Sequence, residues 1–183
     1  MERTTITGST GVAVPLELHR PVRTANGAAI IVVYGSDGMN DPWAAMIRDY
    51  AVALAKKGFL AIIPDYLATT GSRPGPEVFA EIPFKLPLWQ AAIDDAITHA
   101  SSAPGITAGR IGLLGFSLGG HLSLRLRHRA KSVTAFFAPE FCEFGGIGAA
   151  APHVPSAQLH HGTADQLVPP SNSANIERQL KTE

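Results

Sequence analysis

This sequence is most informative at first for what it withholds. It carries a single cysteine, Cys142, which excludes an internal disulfide. Acidic and basic residues balance at 15 each, so the formal net charge is zero and long-range electrostatics favour neither nucleic acid nor an anionic membrane as a partner. No apolar run approaches the roughly 18 residues that would span a bilayer; the runs 28–34 and 59–64 are strand-sized. The amino terminus, Met1-Glu2-Arg3-Thr4-Thr5, has no apolar signal-peptide core, and the expected location is cytoplasmic. No histidine follows His161. The histidines form no metal-ligand spacing with carboxylates or the thiol, and Gly35-Ser36-Asp37-Gly38 lacks the lysine of a phosphate-binding loop. Neither a metal nor a cofactor is implied.

What remains is an ordinary globular composition. With 183 residues, 45% of them hydrophobic, the chain can bury the core of one domain, and a small neutral ligand is the partner its charge balance suits. Cys142, between Phe141 and Glu143, reads as a partly buried small side chain rather than a reactive thiol.

Strand and helix patterns alternate. Residues 4–7 and 12–19 alternate loosely around Gly8 and Gly11, which predicts an edge hairpin. The β-branched run 28–34 predicts a strand buried on both faces, 42–57 a helix stopped by Gly58, and 59–64 a further strand. Residues 65–87 hold four prolines and two glycines and read as a long surface excursion that could border a pocket. Then follow a helix over 88–102, a strand over 110–114, a helix over 118–129, strands over 132–138 and 157–161, and a helix over 171–181. Such alternation predicts an α/β fold: a mostly parallel sheet with helices on both faces.

The chemistry concentrates at Gly115-Phe116-Ser117-Leu118-Gly119-Gly120, where an apolar run ends in a serine flanked by glycines as a helical pattern begins. That is the pattern of a nucleophile elbow: the turn holds the serine hydroxyl clear of the sheet, and the amide of Leu118 faces the position of a tetrahedral oxyanion. Ser36, after the early buried strand, stands where a second backbone N–H reaches that oxyanion. Asp165, in His160-His161-Gly162-Thr163-Ala164-Asp165, follows a strand and could orient an imidazole, although an aspartate in a turn is also common.

Taken together, these segments resemble the dienelactone hydrolase family of the α/β-hydrolase superfamily. The early strand with its glycine loop, GFLAIIPDY from Gly58, GLLGFSLGGH from Gly112 and HHGTADQLVPP from His160 match in order and approximate spacing over nearly the whole chain. The resemblance implies a single α/β-hydrolase domain over 1–183 and a serine carboxylesterase or lactonase working through an acyl-enzyme. Ser117 and Asp165 would be its catalytic residues, with the backbone amides of Leu118 and Ser36 as the oxyanion hole. It also implies a catalytic histidine on a later turn, so the chain is expected to lack the last strand and helix, to be weak or inactive, and to self-associate. Where founding members carry a cysteine nucleophile this chain has Ser117, and where they carry an arginine for the substrate carboxylate it has Leu67-Ala68-Thr69, with Arg73 only later. Dienelactone is therefore not the expected substrate.

Other histidines offer few substitutes for the base. His121 is expected to pack, His160 and His161 to shape the acid-bearing turn, and His19, His99, His128 and His153 to be solvated or structural. The cluster Arg125, Arg127, His128, Arg129 and Lys131 is expected to be the solvated carboxyl end of a helix. The alternative function is an inactive pseudohydrolase that keeps the pocket for binding or assembly.

Overall fold

The computed structural model describes residues 1–149 and 155–182, so His153 lies outside the described residues. Its strands are β1 (Glu2–Thr7), β2 (Ala13–His19), β3 (Ala29–Val33), β4 (Leu60–Pro64), β5 (Ile111–Phe116), β6 (Ser132–Phe136) and β7 (Ser156–His160). The helices are α1 (Trp43–Lys56), α2 (Val78–Ser101), α3 (Leu118–Arg125) and α4 (Ser171–Lys181). The seven strands form one sheet in the order β1-β2-β4-β3-β5-β6-β7. β1 and β2 are the expected antiparallel hairpin at one edge, β2 also meets β4 antiparallel, and every other pairing is parallel.

The central strands are apolar throughout because both faces are covered. In the register, Ile31 lies opposite both Ile62 and Leu113, and these three are among the most buried side chains of the protein. The order of strands reverses at β3: the chain steps one way to β4 and the other way to β5. Right-handed crossovers then put α1 on one face and α2 and α3 on the other. Consistent with this, Tyr50 of α1 packs on Phe116 and Phe136 with ring centroids 5.2 and 5.6 Å away, while α2 contacts α3. The reversal opens a crevice beyond the carboxyl ends of β3 and β5, where ligands of open α/β sheets bind.

Residues 65–87 are not one long loop. A short 3-10 turn at Ala68–Thr70 is followed by α2 from Val78, with Pro83 and Pro87 inside the helix. Counting prolines as breakers hid the stripe Val78, Ile82, Leu86 and Trp89, all buried. Burying four such side chains contributes about 2 kcal/mol each, which offsets the local cost of about 3 kcal/mol for each interior proline. Trp89 also donates its indole N–H to Thr70 Oγ1 at 2.8 Å, tying the helix to the turn before it.

The basic cluster after α3 is solvated only in part: His128, Arg129 and Lys131 are exposed as expected, but Arg125 is half-buried and Arg127 buried. α3 ends at Arg125, and Arg127 is 1% exposed. Its guanidinium donates to the carbonyls of Leu124, Ile147 and Ala149, while Arg125 donates to the carbonyls of Phe144 and Gly146. The two arginines organise residues 144–149 from within. Cys142 departs from expectation in the other direction: it is exposed, and Glu140, hydrogen-bonded to the thiol, raises its pKa. The shift favours the protonated thiol over the thiolate.

Candidate active site

Ser117 occupies the single residue between β5 and α3 with φ 51° and ψ −122°, a conformation L-residues rarely adopt. It is held from both sides: its N–H donates to the carbonyl of Phe136 at 2.9 Å, and its carbonyl accepts from the N–H of His121 at 3.1 Å. The flanking glycines provide space rather than unusual dihedrals. A Cβ on Gly115 would collide with the Gly119 carbonyl, and one on Gly119 with the carbonyl oxygens of Val33 and Tyr34. Strand, elbow and helix can approach this closely only because both positions lack side chains.

The loop after β3 presses against the serine. A Cβ on Gly35 would sit 3.1 Å from Ser117 Cβ and 3.7 Å from Ser117 Oγ. Ser36 is buried, and its carbonyl accepts from Gly75 at 2.9 Å, which pins the loop to the segment before α2. Two tyrosines the sequence did not single out fix the base of this loop. Tyr66 donates to the Tyr34 carbonyl at 3.1 Å, and Tyr34 donates to Asp65 Oδ1 while its own oxygen accepts from Leu67 N–H. Their rings stack with centroids 4.6 Å apart. The signal for this arrangement is faint: two tyrosines, each just past a buried strand.

Asp165 lies in the turn after β7. Its Oδ1 accepts from the amides of Leu167 and Val168, both at 2.9 Å. The Val168 amide is the chief cause of a carboxyl pKa below the ordinary aspartate value; desolvation opposes it, and the Leu167 amide and the nearby His161 reinforce it. His161 Nε2 stands 3.5 Å from Asp165 Oδ2 but bonds the Val168 carbonyl at 2.7 Å, and Nδ1 bonds Ser173 Oγ at 2.6 Å. With both ring nitrogens engaged, His161 fastens the acid turn to α4. Glu140, also unforeseen, reinforces α4: its backbone N–H donates to Asn172, and its carboxylate accepts from Asn175 and Gln179.

Ser117, Asp165 and Ser36 line one cavity of about 600 Å³. Leu118 is wholly buried and is not among the lining residues. Its amide, at the first position of α3, has no intrahelical acceptor. Three of the four predicted site residues therefore line one cavity, and Leu118 directly follows Ser117 in the chain.

No histidine is among the described residues lining the cavity. His121 is wholly buried one turn into α3, with Nδ1 3.1 Å from the Pro139 carbonyl and its ring edge-on to Phe141 at 5.0 Å. Its Nε2 has no hydrogen-bond partner. Burial, aided by the Arg125 charge and opposed by the Pro139 bond, pushes its pKa down to about 4, so the imidazole is neutral and Nδ1 carries the proton. Phe141, which lines the cavity, stands against this ring. His160 stacks on Phe136 at 4.7 Å, and His19 pairs with Glu17 at 2.9 Å on the far side of the sheet. Among the described residues no cluster of three or more His, Cys, Asp or Glu could hold a metal ion.

Comparison with known proteins bears on the family and the fold. A family model described as the dienelactone hydrolase family matches residues 17–183. A solved structure assigned as a dienelactone hydrolase, from Klebsiella pneumoniae, superposes with a TM-score of 0.72 at 23% identity, covering 99% of this chain and 80% of that one. A dienelactone hydrolase-like promiscuous phosphotriesterase from metagenomic libraries gives 0.74 at 17% identity, covering 99% and 77%. An alpha-beta serine hydrolase homologue from Coxiella burnetii gives 0.71 at 17%, covering 98% and 82%. No curated protein matches the sequence.

Proposed function

The chain belongs to the dienelactone hydrolase family, and from that premise we propose that it is a serine ester hydrolase acting on carboxylic esters or lactones of small molecules, with Ser117 as nucleophile and Asp165 as acid. One observation carries the reading: a serine in a strained left-handed turn borders the same cavity as an anchored aspartate, with the Gly35 backbone packed against it.

In this mechanism Ser117 Oγ attacks the carbonyl carbon, its proton passes to a base, and the negative charge gathers on the carbonyl oxygen. The amides of Leu118 and Ser36 receive that oxyanion, each such donor contributing about 3 kcal/mol to the transition state. The alcohol leaves with a proton, and water then attacks the acyl-serine and returns the hydroxyl to Ser117. Asp165, held ionised by the Leu167 and Val168 amides, is the group against which an imidazole would be oriented. Among the described residues no histidine lines the cavity to take the Ser117 proton.

That same observation favours a second reading, a pseudohydrolase whose cavity binds a ligand without turning it over. Hydrolysis of p-nitrophenyl acetate by the chain and by Ser117→Ala separates the two. Slow hydrolysis that disappears in Ser117→Ala supports the enzyme; ligand binding with no Ser117-dependent hydrolysis supports the pseudohydrolase. Because one structural neighbour is named a phosphotriesterase, a p-nitrophenyl phosphotriester run alongside tests the carboxylic-ester preference.

A further inference from the structure

The walls of the cavity carry charge of one sign. Asp37, Glu143 and Asp165 line it, and no lysine, arginine or histidine does so among the described residues. Arg125 and Lys85 are turned to internal partners: Arg125 to Gln90 and the carbonyls of Phe144 and Gly146, and Lys85 to Glu81, Ser72 and the Thr70 carbonyl. The rest of the lining is largely apolar and aromatic. Trp43, Phe79 and Leu167 remain 42, 40 and 87% exposed although they are large hydrophobic residues, and all three border this cavity. Exposed apolar side chains gathered at one concavity mark a surface that a ligand covers. Aromatic faces beside carboxylates attract an organic cation and repel an anion.

We propose that this cavity takes ligands with an apolar body and a neutral or, preferentially, cationic substituent, and that it rejects carboxylate-bearing ones. That such ligands would be substrates rests on the esterase reading; the order of affinities does not. A chain whose net charge is zero gives no global field to produce this selectivity; it arises from the local placement of three carboxylates around one concavity.

The test is a matched ligand series measured without turnover. Phenyltrimethylammonium, its neutral isostere tert-butylbenzene, and benzoate are titrated against the intact chain, following quenching of Trp43 fluorescence, with Trp43→Phe locating the signal in the cavity. The expected order is cation tightest and benzoate weakest. The two differ by about tenfold or more at low ionic strength, and the gap narrows as added salt shortens the screening length. The double variant Asp37→Asn, Glu143→Gln narrows it in the same way. Benzoate binding as tightly as the neutral ligand, or failure of the cation to bind, overturns the proposal. Hydrolysis plays no part in the readout, so loss of the Ser117 assignment and loss of this order are seen separately.

Discussion

Ser117 holds its φ of 51° and ψ of −122° without the benefit of being glycine. Such a conformation costs on the order of 1–3 kcal/mol, and no local folding need explains it when glycine is already used on both sides. Ser117→Gly is therefore expected to stabilise the fold by about 1 kcal/mol after the larger entropy of the unfolded glycine chain is subtracted. Its melting temperature should rise by about 2–4 °C, while ester hydrolysis is lost; a lower melting temperature would show that the turn is unstrained. His121 carries a second prediction at this scale. Its pKa is about 4 in the folded protein against an ordinary 6.5, so the unfolded chain binds the proton more readily. The stability this contributes is complete above pH 6.5 and is lost progressively as pH falls from 6.5 to 4, by about 3 kcal/mol in all. Chemical denaturation across that range should show the slope, and His121→Gln should flatten it. The sequence made Ser117 and Asp165 legible because each sits at a punctuated strand end with a characteristic neighbourhood. It could not reveal that His161 fastens the acid turn through Val168 and Ser173, since those partners are set by how α4 returns to the sheet.

Elements were legible where periodicity and glycine agreed. The edge hairpin, the central strands and α4 appear close to where the pattern puts them, because burial on one or two faces imposes the pattern directly. They were misread where local chemistry and tertiary packing disagree. Four prolines and two glycines argued for a loop over 65–87, yet the stripe Val78, Ile82, Leu86 and Trp89 makes its second half the start of α2, with Pro83 and Pro87 inside the helix. A run of basic residues argued for a solvated helix end, yet Arg127 is buried among carbonyls. Arg127→Met should therefore cost about 3 kcal/mol, since the carbonyls of Ile147 and Ala149 lose a charged donor within the fold. An urea midpoint unchanged from wild type would contradict this. Gly119→Ala tests the packing of the elbow: the added methyl meets the Val33 and Tyr34 carbonyls, and the expected outcome is loss of cooperative folding.

At the scale of the whole molecule, the sheet brings the carboxyl ends of β3 and β5, the turn after β7 and the start of α1 around one cavity. The hydroxyl and the carboxylate face it from different elements, and no imidazole joins them among the described residues. An external imidazole supplied at millimolar concentration is therefore expected to accelerate ester hydrolysis beyond the sum of its own solution rate and the unassisted protein rate. That excess should vanish in Ser117→Ala and fall in Asp165→Asn. The central claim is that Ser117 is an acyl acceptor, and trapping the acyl group tests it most directly. Incubation with an activated ester such as p-nitrophenyl butyrate, followed by a rapid acid quench, should leave one butyryl group on the chain, assigned to Ser117 by peptide mass spectrometry and absent from Ser117→Ala. No adduct, or an adduct on another residue that persists in Ser117→Ala, would contradict the account.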